Sequence, residues 1–529
     1  MIARASTRLG GLTGAAGDRV ALGVVAVVTL AVGVVNSKVT ALMVGPSGVG
    51  YLAVVQAMLN LVAVVAGLEL GQAMIRFLPA AAAVGDVRLV EDRIVAARTV
   101  TAIGVTCVLV AALVSGGSIA SVLLPPPAGR AAWLLVVIGA VAYCWTSLLI
   151  ATLAALGATR QLVAASILSA VSTPVVTVVG YRVAGIDAVP AIAFVSAVLS
   201  LVTTLAIYRR VVRSRAATTR RRPSASWQLG QARELVGFAG PRMSGTLVRT
   251  GLSLAVPVIV ARRAGLADAG QFRAALAIGA AFSSVGLMVL SYGFAPRAAA
   301  VGGERTALGR LSAAELLVVS TLANAAAQVG VVLAPVVVRV LYAAEFGAAA
   351  ALLRAVVVIE VVRLVGHVFF FALSGASGGR MVAAATLSGP VVALVALFPL
   401  TAWSTTWGAV AALGVEAAVL LGVSAVLLRV RVRVGVGMGA VALAAVQTGV
   451  SVAVALGAAR GWAAGIAGVP VLVGGWAVLA ATFAVARRAA AAGGDATPRP
   501  PEGPVPTVDD RRSERQLPMA TSVARGVAR

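Results

Sequence analysis

Residues 21–44 read ALGVVAVVTLAVGVVNSKVTALMV, a long apolar run interrupted by Asn36, Ser37 and Lys38. The glycine-rich stretch GPSGVGY follows at Gly45–Tyr51, and a second apolar run continues to Leu70. About twenty apolar residues in helical form cross a hydrocarbon core of ~30 Å. Within lipid a helix satisfies its own backbone hydrogen bonds, which an isolated strand cannot do. The stretch therefore predicts a transmembrane hairpin. The first run is too long for the apolar core of a cleavable signal peptide, and no small-residue cleavage motif follows, so none is expected.

The same pattern recurs at Ile94–Val114, Ala132–Leu153, Leu162–Val179, Val189–Ile207, Leu235–Val260 and Gly270–Phe294. It continues at Ala313–Val337, Ala349–Leu373, Met381–Leu400, Trp407–Leu428, Gly437–Leu456 and Ala463–Val485. The expected fold is all-α, a polytopic membrane protein of about fourteen transmembrane helices. Composition agrees: 60% of the 529 residues are hydrophobic, 12% are charged and the mean hydropathy is +1.01. Little chain is left for a soluble catalytic domain. Cys107 and Cys144 fall inside spans and are expected to be small core residues without a disulfide. With His367 the only histidine, no metal cluster is expected, and no cofactor.

The net charge of +25 could indicate nucleic acid, but its distribution excludes that partner. Basic residues crowd alternate loops, as in Arg4, Arg8 and Arg19, then Arg76, Arg88 and Arg93, then the dense run within Arg209–Arg222. The intervening loops are poorer. By the positive-inside rule both termini are cytoplasmic. The basic loops are expected on the anionic inner leaflet, each residue near it contributing ~1 kcal/mol.

The dense basic loop also divides the chain. The expected organisation is a six-helix lobe at 1–208, a basic cytoplasmic linker at 209–234 and a second six-helix lobe at 235–430. Two additional helices at 431–488 and a disordered cytoplasmic tail at 489–529 complete it. Gly45 and Gly50 align with Gly265 and Gly270 at one constant offset, as two pseudo-symmetric lobes would require.

The segment Leu42–Tyr51 (LMVGPSGVGY) resembles the LGPEGYG-type loop of polysaccharide-repeat-unit flippases of the O-antigen and capsule type. Gly67–Arg76 (GLELGQAMIR) is similar to the end of the second span in those proteins, with Ser47 and Glu69 departing from their commoner residues. They form the polysaccharide transporter branch of a superfamily that also holds multidrug exporters and the lipid II flippase. The resemblance covers the chain except its tail. It implies two lobes facing a solvated cavity, alternating access and two peripheral C-terminal helices. It also implies a polyprenyl-diphosphate-linked oligosaccharide as substrate, with a polysaccharide polymerase and glycosyltransferases as partners in assembly. The implied location is the bacterial plasma membrane.

Carrying a diphosphate across hydrocarbon calls for fixed cations in a wet cavity. The candidates are Lys38, the chain's single lysine, Arg249 in the seventh span, and Arg354 and Arg363 in the tenth. Snorkelling to the interface is the alternative for Lys38. Pairing with Glu360 at i,i+3 is the alternative for Arg363. Glu360 with His367 could instead couple transport to an ion. Asn36, Gln56, Asn60, Asn324 and Gln328 could meet sugar hydroxyls, although bonds between helices suit the last four better. Glu416, near the middle of the twelfth span, takes no role from the sequence.

The function expected is flipping of lipid-linked oligosaccharide, with no covalent chemistry and hence no enzyme. A multidrug or cation antiporter, or a lipid II-type flippase, is the alternative. An antiporter cavity should be acidic, whereas the charges inside these spans lean basic. A membrane glycosyltransferase would need a large outer loop or an Asp-x-Asp motif, and the chain has neither.

Overall fold

A computed structural model of the chain describes residues 2–83, 87–123, 129–215, 225–377 and 379–459. The last expected span, Ala463–Val485, the tail from 489 and the centre of the basic linker at 216–224 lie outside the described residues.

The described chain is helical, without a strand among the described residues. Its helices are α1 (Ile2–Gly67), α2 (Leu70–Ala83), α3 (Val87–Leu123), α4 (Arg130–Ala155), α5 (Thr159–Ala184), α6 (Val189–Arg215) and α7 (Ala225–Arg263). Then follow α8 (Leu266–Val289), α9 (Ala295–Ala300), α10 (Arg305–Leu341), α11 (Gly347–Ala376), α12 (Gly379–Trp403), α13 (Thr405–Val430) and α14 (Met438–Ala459). A π turn, Leu290–Phe294, joins α8 to α9.

Among the described residues, eleven segments are long and apolar enough to cross a membrane. Two of them, Ala31–Gly67 and Thr159–Val211, each contain a break and hold two of the expected spans. The chain is thus a multi-pass membrane protein with close to the expected number of crossings. Its perimeter is apolar: Val114 is 85% and Val183 is 82% exposed, a surface suited to hydrocarbon. Trp403 and Trp407 flank the α12–α13 connection and are exposed, as interfacial anchors are.

The first hairpin differs from the expected span–loop–span. Its glycine-rich segment is not a loop, and α1 runs through it with one non-helical residue, Gly45 (φ 60, ψ −166). Glycine enters that region without a Cβ clash, and Pro46 restarts the helix because a first-turn proline sacrifices no hydrogen bond. A second break follows at Leu68 and Glu69, both with positive φ, where α1 hands over to α2. Within the expected linker, α6 continues to Arg215 and α7 begins at Ala225.

The helix α1 contributes to two clusters. Ala41 and Val49 belong to a buried cluster otherwise built from α7 to α14. Tyr51 to Ala66 belong to a cluster shared with α3, α4, α5 and α6, to which α7 adds Leu254 and Val258. One helix of the first half and one of the second thus each contribute to both cores.

Candidate functional site

Charges inside the spans are the residues most expected to carry chemistry, and the structure gathers some of them and disperses others. Glu360, Arg363 and His367 share one face of α11, because i, i+3 and i+7 coincide on a helix. Arg363 donates from Nη1 to Glu360 Oε1 and from Nη2 to Glu416 Oε2 of α13 at 3.1 Å. Arg249 of α7 approaches the other oxygen of the same carboxylate, its Nε 3.9 Å from Glu416 Oε1. His367 Nδ1 lies 2.7 Å from the Arg363 carbonyl, which only accepts, so Nδ1 carries the proton.

Burial is graded across this network. The Glu360 side chain is 4% exposed, Glu416 11%, Arg363 14% and Arg249 53%. Arg363 forms the i,i+3 pair with Glu360 that its spacing offered, and a second pair with Glu416. Arg249 is the loose member, too far from Glu416 for a hydrogen bond and open on one side. A cavity of about 90 Å³ between them is lined by Arg249, Arg363, His367, Phe370, Thr386 and Glu416 among others. Gly389 lets α12 approach α13 closely beside it: a Cβ there would lie 2.9 Å from the Glu416 carbonyl oxygen. Two guanidiniums and two carboxylates cancel, which removes most of the penalty of burying each alone.

A larger cavity of about 600 Å³ opens between α1, α2, α4 and α7. Its polar lining includes Asn60, Gln72, Thr101, Ser147, Thr250 and Ser253, with Tyr143, and with Glu69 the one acidic residue and no basic residue among those lining it. The volume is within the range of small-molecule sites. Thr250 follows Arg249 on α7, so one helix faces both cavities. Asn60 reaches the larger cavity; Gln56 is exposed on α1 and is not among the lining residues.

The other candidates stand apart. Lys38 donates from Nζ to the carbonyl oxygens of Arg339, at 3.1 Å, and of Tyr342. These terminate α10, where unpaired carbonyls and the negative end of the helix dipole favour a cation. Arg354 donates from Nε to the Val331 carbonyl at 3.3 Å. The expected grouping of Lys38 and Arg354 with Arg249 is therefore not formed. Asn36 Oδ1 is buried without a hydrogen-bond partner among the described residues. Asn324 and Gln328 are 0% and 1% exposed on α10. Ser451 of α14 donates to Asn324 Oδ1 at 2.7 Å, and Gln447 donates to Thr321 Oγ1 at 3.0 Å. Asn324 thus lies in a polar zipper between α10 and α14.

Two contacts have no direct signature in the sequence. At one end of the bundle Gly50 and Gly270 meet. A Cβ on Gly50 would collide with the Leu266 carbonyl oxygen, and one on Gly270 with the Pro46 carbonyl oxygen. Pro46 and Leu266 are themselves related by the offset that relates Gly50 to Gly270, so the contact is reciprocal. Elsewhere Arg93 of α3 ties α2 to the start of α7. It donates to the Phe77 carbonyl at 2.7 Å, to Gln231 at 3.2 Å and to Glu234 at 3.4 Å. Arg76, the last residue of the second-span motif, lies over the Phe238 ring at 4.4 Å, a cation–π distance.

No family model matches the chain, and no curated protein matches it. Solved structures do. The lipid II flippase MurJ in an inward closed conformation superposes with a TM-score of 0.62 at 10% identity, covering 89% of this chain and 98% of that one. An inward-facing multidrug resistance MATE family transporter of the MOP superfamily gives 0.56 at 15% identity, covering 77% and 98%. A MATE in complex with MaD5 gives 0.56 at 17% identity, covering 79% and 96%. At such identities the likeness is one of fold.

Proposed function

We propose that the chain is a flippase that carries polyprenyl-diphosphate-linked oligosaccharide from the inner to the outer leaflet of a bacterial plasma membrane. Both termini face the cytoplasm in this reading, and two six-helix lobes, 1–208 and 235–430, alternate access to the space between them. No bond is made or broken. The observation that carries the reading is Arg249: a guanidinium inside a span, half exposed, loosely paired, and one residue from the wall of a polar cavity whose lining carries a single charge, Glu69. A guanidinium suits a diphosphate, to which it can offer two parallel hydrogen bonds. Amides, hydroxyls and a tyrosine ring suit sugars.

The cation-antiporter alternative has less support. Glu360 and Glu416 are both engaged by Arg363, which leaves Glu69 as the single carboxylate lining the larger cavity. The lipid II-type alternative shares the diphosphate and differs in the glycan. Arg249→Ala tests the common premise. It should lower surface polysaccharide about tenfold or more, the scale of one charge-assisted contact, with protein in the membrane at its normal level. Unchanged export at that level would exclude an anion site at Arg249.

A further inference from the structure

We propose that Glu416 is an internal counter-ion that occupies Arg249 in the empty transporter and competes with the anionic cargo for it. The inference rests on the flippase reading and assigns a role to a residue that reading leaves unused.

The geometry separates the two arginines that Glu416 serves. Arg363 grips Glu416 Oε2 at 3.1 Å and is anchored in turn by Glu360. Arg249 meets the opposite oxygen, Oε1, at 3.9 Å. One carboxylate therefore stands between a held cation and a released one. Arg363 fixes Glu416 in place, so that the carboxylate can neither follow Arg249 away nor lose its charge partner when Arg249 leaves. The Arg249 side chain remains 53% exposed while it meets Glu416.

Among the described residues, the neighbours of Glu416 leave it no other cation. α11 presents Arg363 with Glu360 and His367, α7 presents Arg249, and α12 faces the small cavity with Thr386 and Pro390. α8 approaches the cluster through Gly279, whose Cβ would lie 3.6 Å from Glu360 Cγ, and neither its Asp268 nor its Arg273 forms an ion pair among the described residues. An Arg249 with no anion nearby would be an unpaired charge within the bundle, a costly state. Glu416 supplies the missing anion while cargo is absent. A diphosphate replaces it with a better hydrogen-bond geometry, and Arg249 returns to the fixed Glu416 as cargo leaves. The same exchange keeps binding from becoming so tight that release fails.

Binding of farnesyl diphosphate to the purified full chain tests this, measured by calorimetry for wild type, Glu416→Gln and Arg249→Gln. Removing the competitor should tighten binding about tenfold, within the usual span of coupling between two sites. Polysaccharide export by Glu416→Gln should nevertheless fall, since release slows. A residue with a merely structural role would lower both. Arg249→Gln should abolish binding. If Glu416→Gln does not fold, Glu416→Asp withdraws the carboxylate by one methylene and should tighten binding in the same direction. Equal or weaker binding in the folded Glu416 variant overturns the counter-ion role while leaving the flippase reading intact. Absence of binding in both wild type and the Glu416 variant overturns the reading itself. Inorganic diphosphate, run in parallel, should bind more weakly; equal affinity would show a site for a free anion and overturn the lipid-borne cargo.

Discussion

Arg363 illustrates how a charge inside a membrane helix is made tolerable. Its guanidinium is 14% exposed and meets two carboxylates, so each charge has a partner at short range. Truncation to alanine would strand Glu360 and Glu416, and breaking a buried pair from one side costs about 3–5 kcal/mol. Arg363→Ala should therefore lower unfolding stability in detergent by that amount, and adding Glu360→Gln should recover most of it. A loss below about 1 kcal/mol would show that the carboxylates find other partners. At this scale the sequence was half legible. The Glu360–Arg363 pair followed from their i,i+3 spacing, because helical geometry alone brings them together. Glu416 was opaque, since its partner Arg363 lies 53 positions away and only the packing of α11 on α13 joins them. Lys38 looked like a cavity cation for a related reason: the end of α10 that receives it is distant in the chain.

Among the helices, the crossing of Gly50 and Gly270 sets how closely one end of the bundle can shut. Neither position admits a methyl group while that end is closed. Gly50→Ala should hold the end open. A cysteine placed at Ser47, in a chain whose free Cys107 and Cys144 are replaced, should then label with a soluble maleimide severalfold faster than with Gly50 intact. Unchanged labelling would mean that the crossing does not govern access. The constant offset between the two glycine pairs was readable in the sequence, and the structure adds that Gly45 and Gly265 both have positive φ. That the two segments would touch was not readable, because offset reports kinship and not contact. The Arg93 contact was hidden likewise. A lone arginine after the second span reads as topology, whereas Phe77, Gln231 and Glu234 around it make it a tie between α2, α3 and α7.

For the whole molecule, hydrophobicity decided the architecture and charge decided little. Runs of apolar residues located nearly every crossing, since bilayer thickness imposes one length on all of them. The α1 break at Gly45 shows the limit of that signal: two spans became one kinked helix contributing to two cores. A reciprocal glycine crossing and an arginine-centred tie join the two halves of the chain. In the proposed flippase, the polar cavity and the restrained Arg249 beside it receive a lipid-borne diphosphate and its sugars. The central claim is the identity of that cargo, and lipid mass spectrometry on cells depleted of the protein tests it most directly. The flippase reading predicts accumulation of a polyprenyl-diphosphate oligosaccharide together with loss of a surface glycan. Unchanged lipid-linked sugars, accompanied by new sensitivity to cationic drugs, would contradict it and move the chain to the exporter reading.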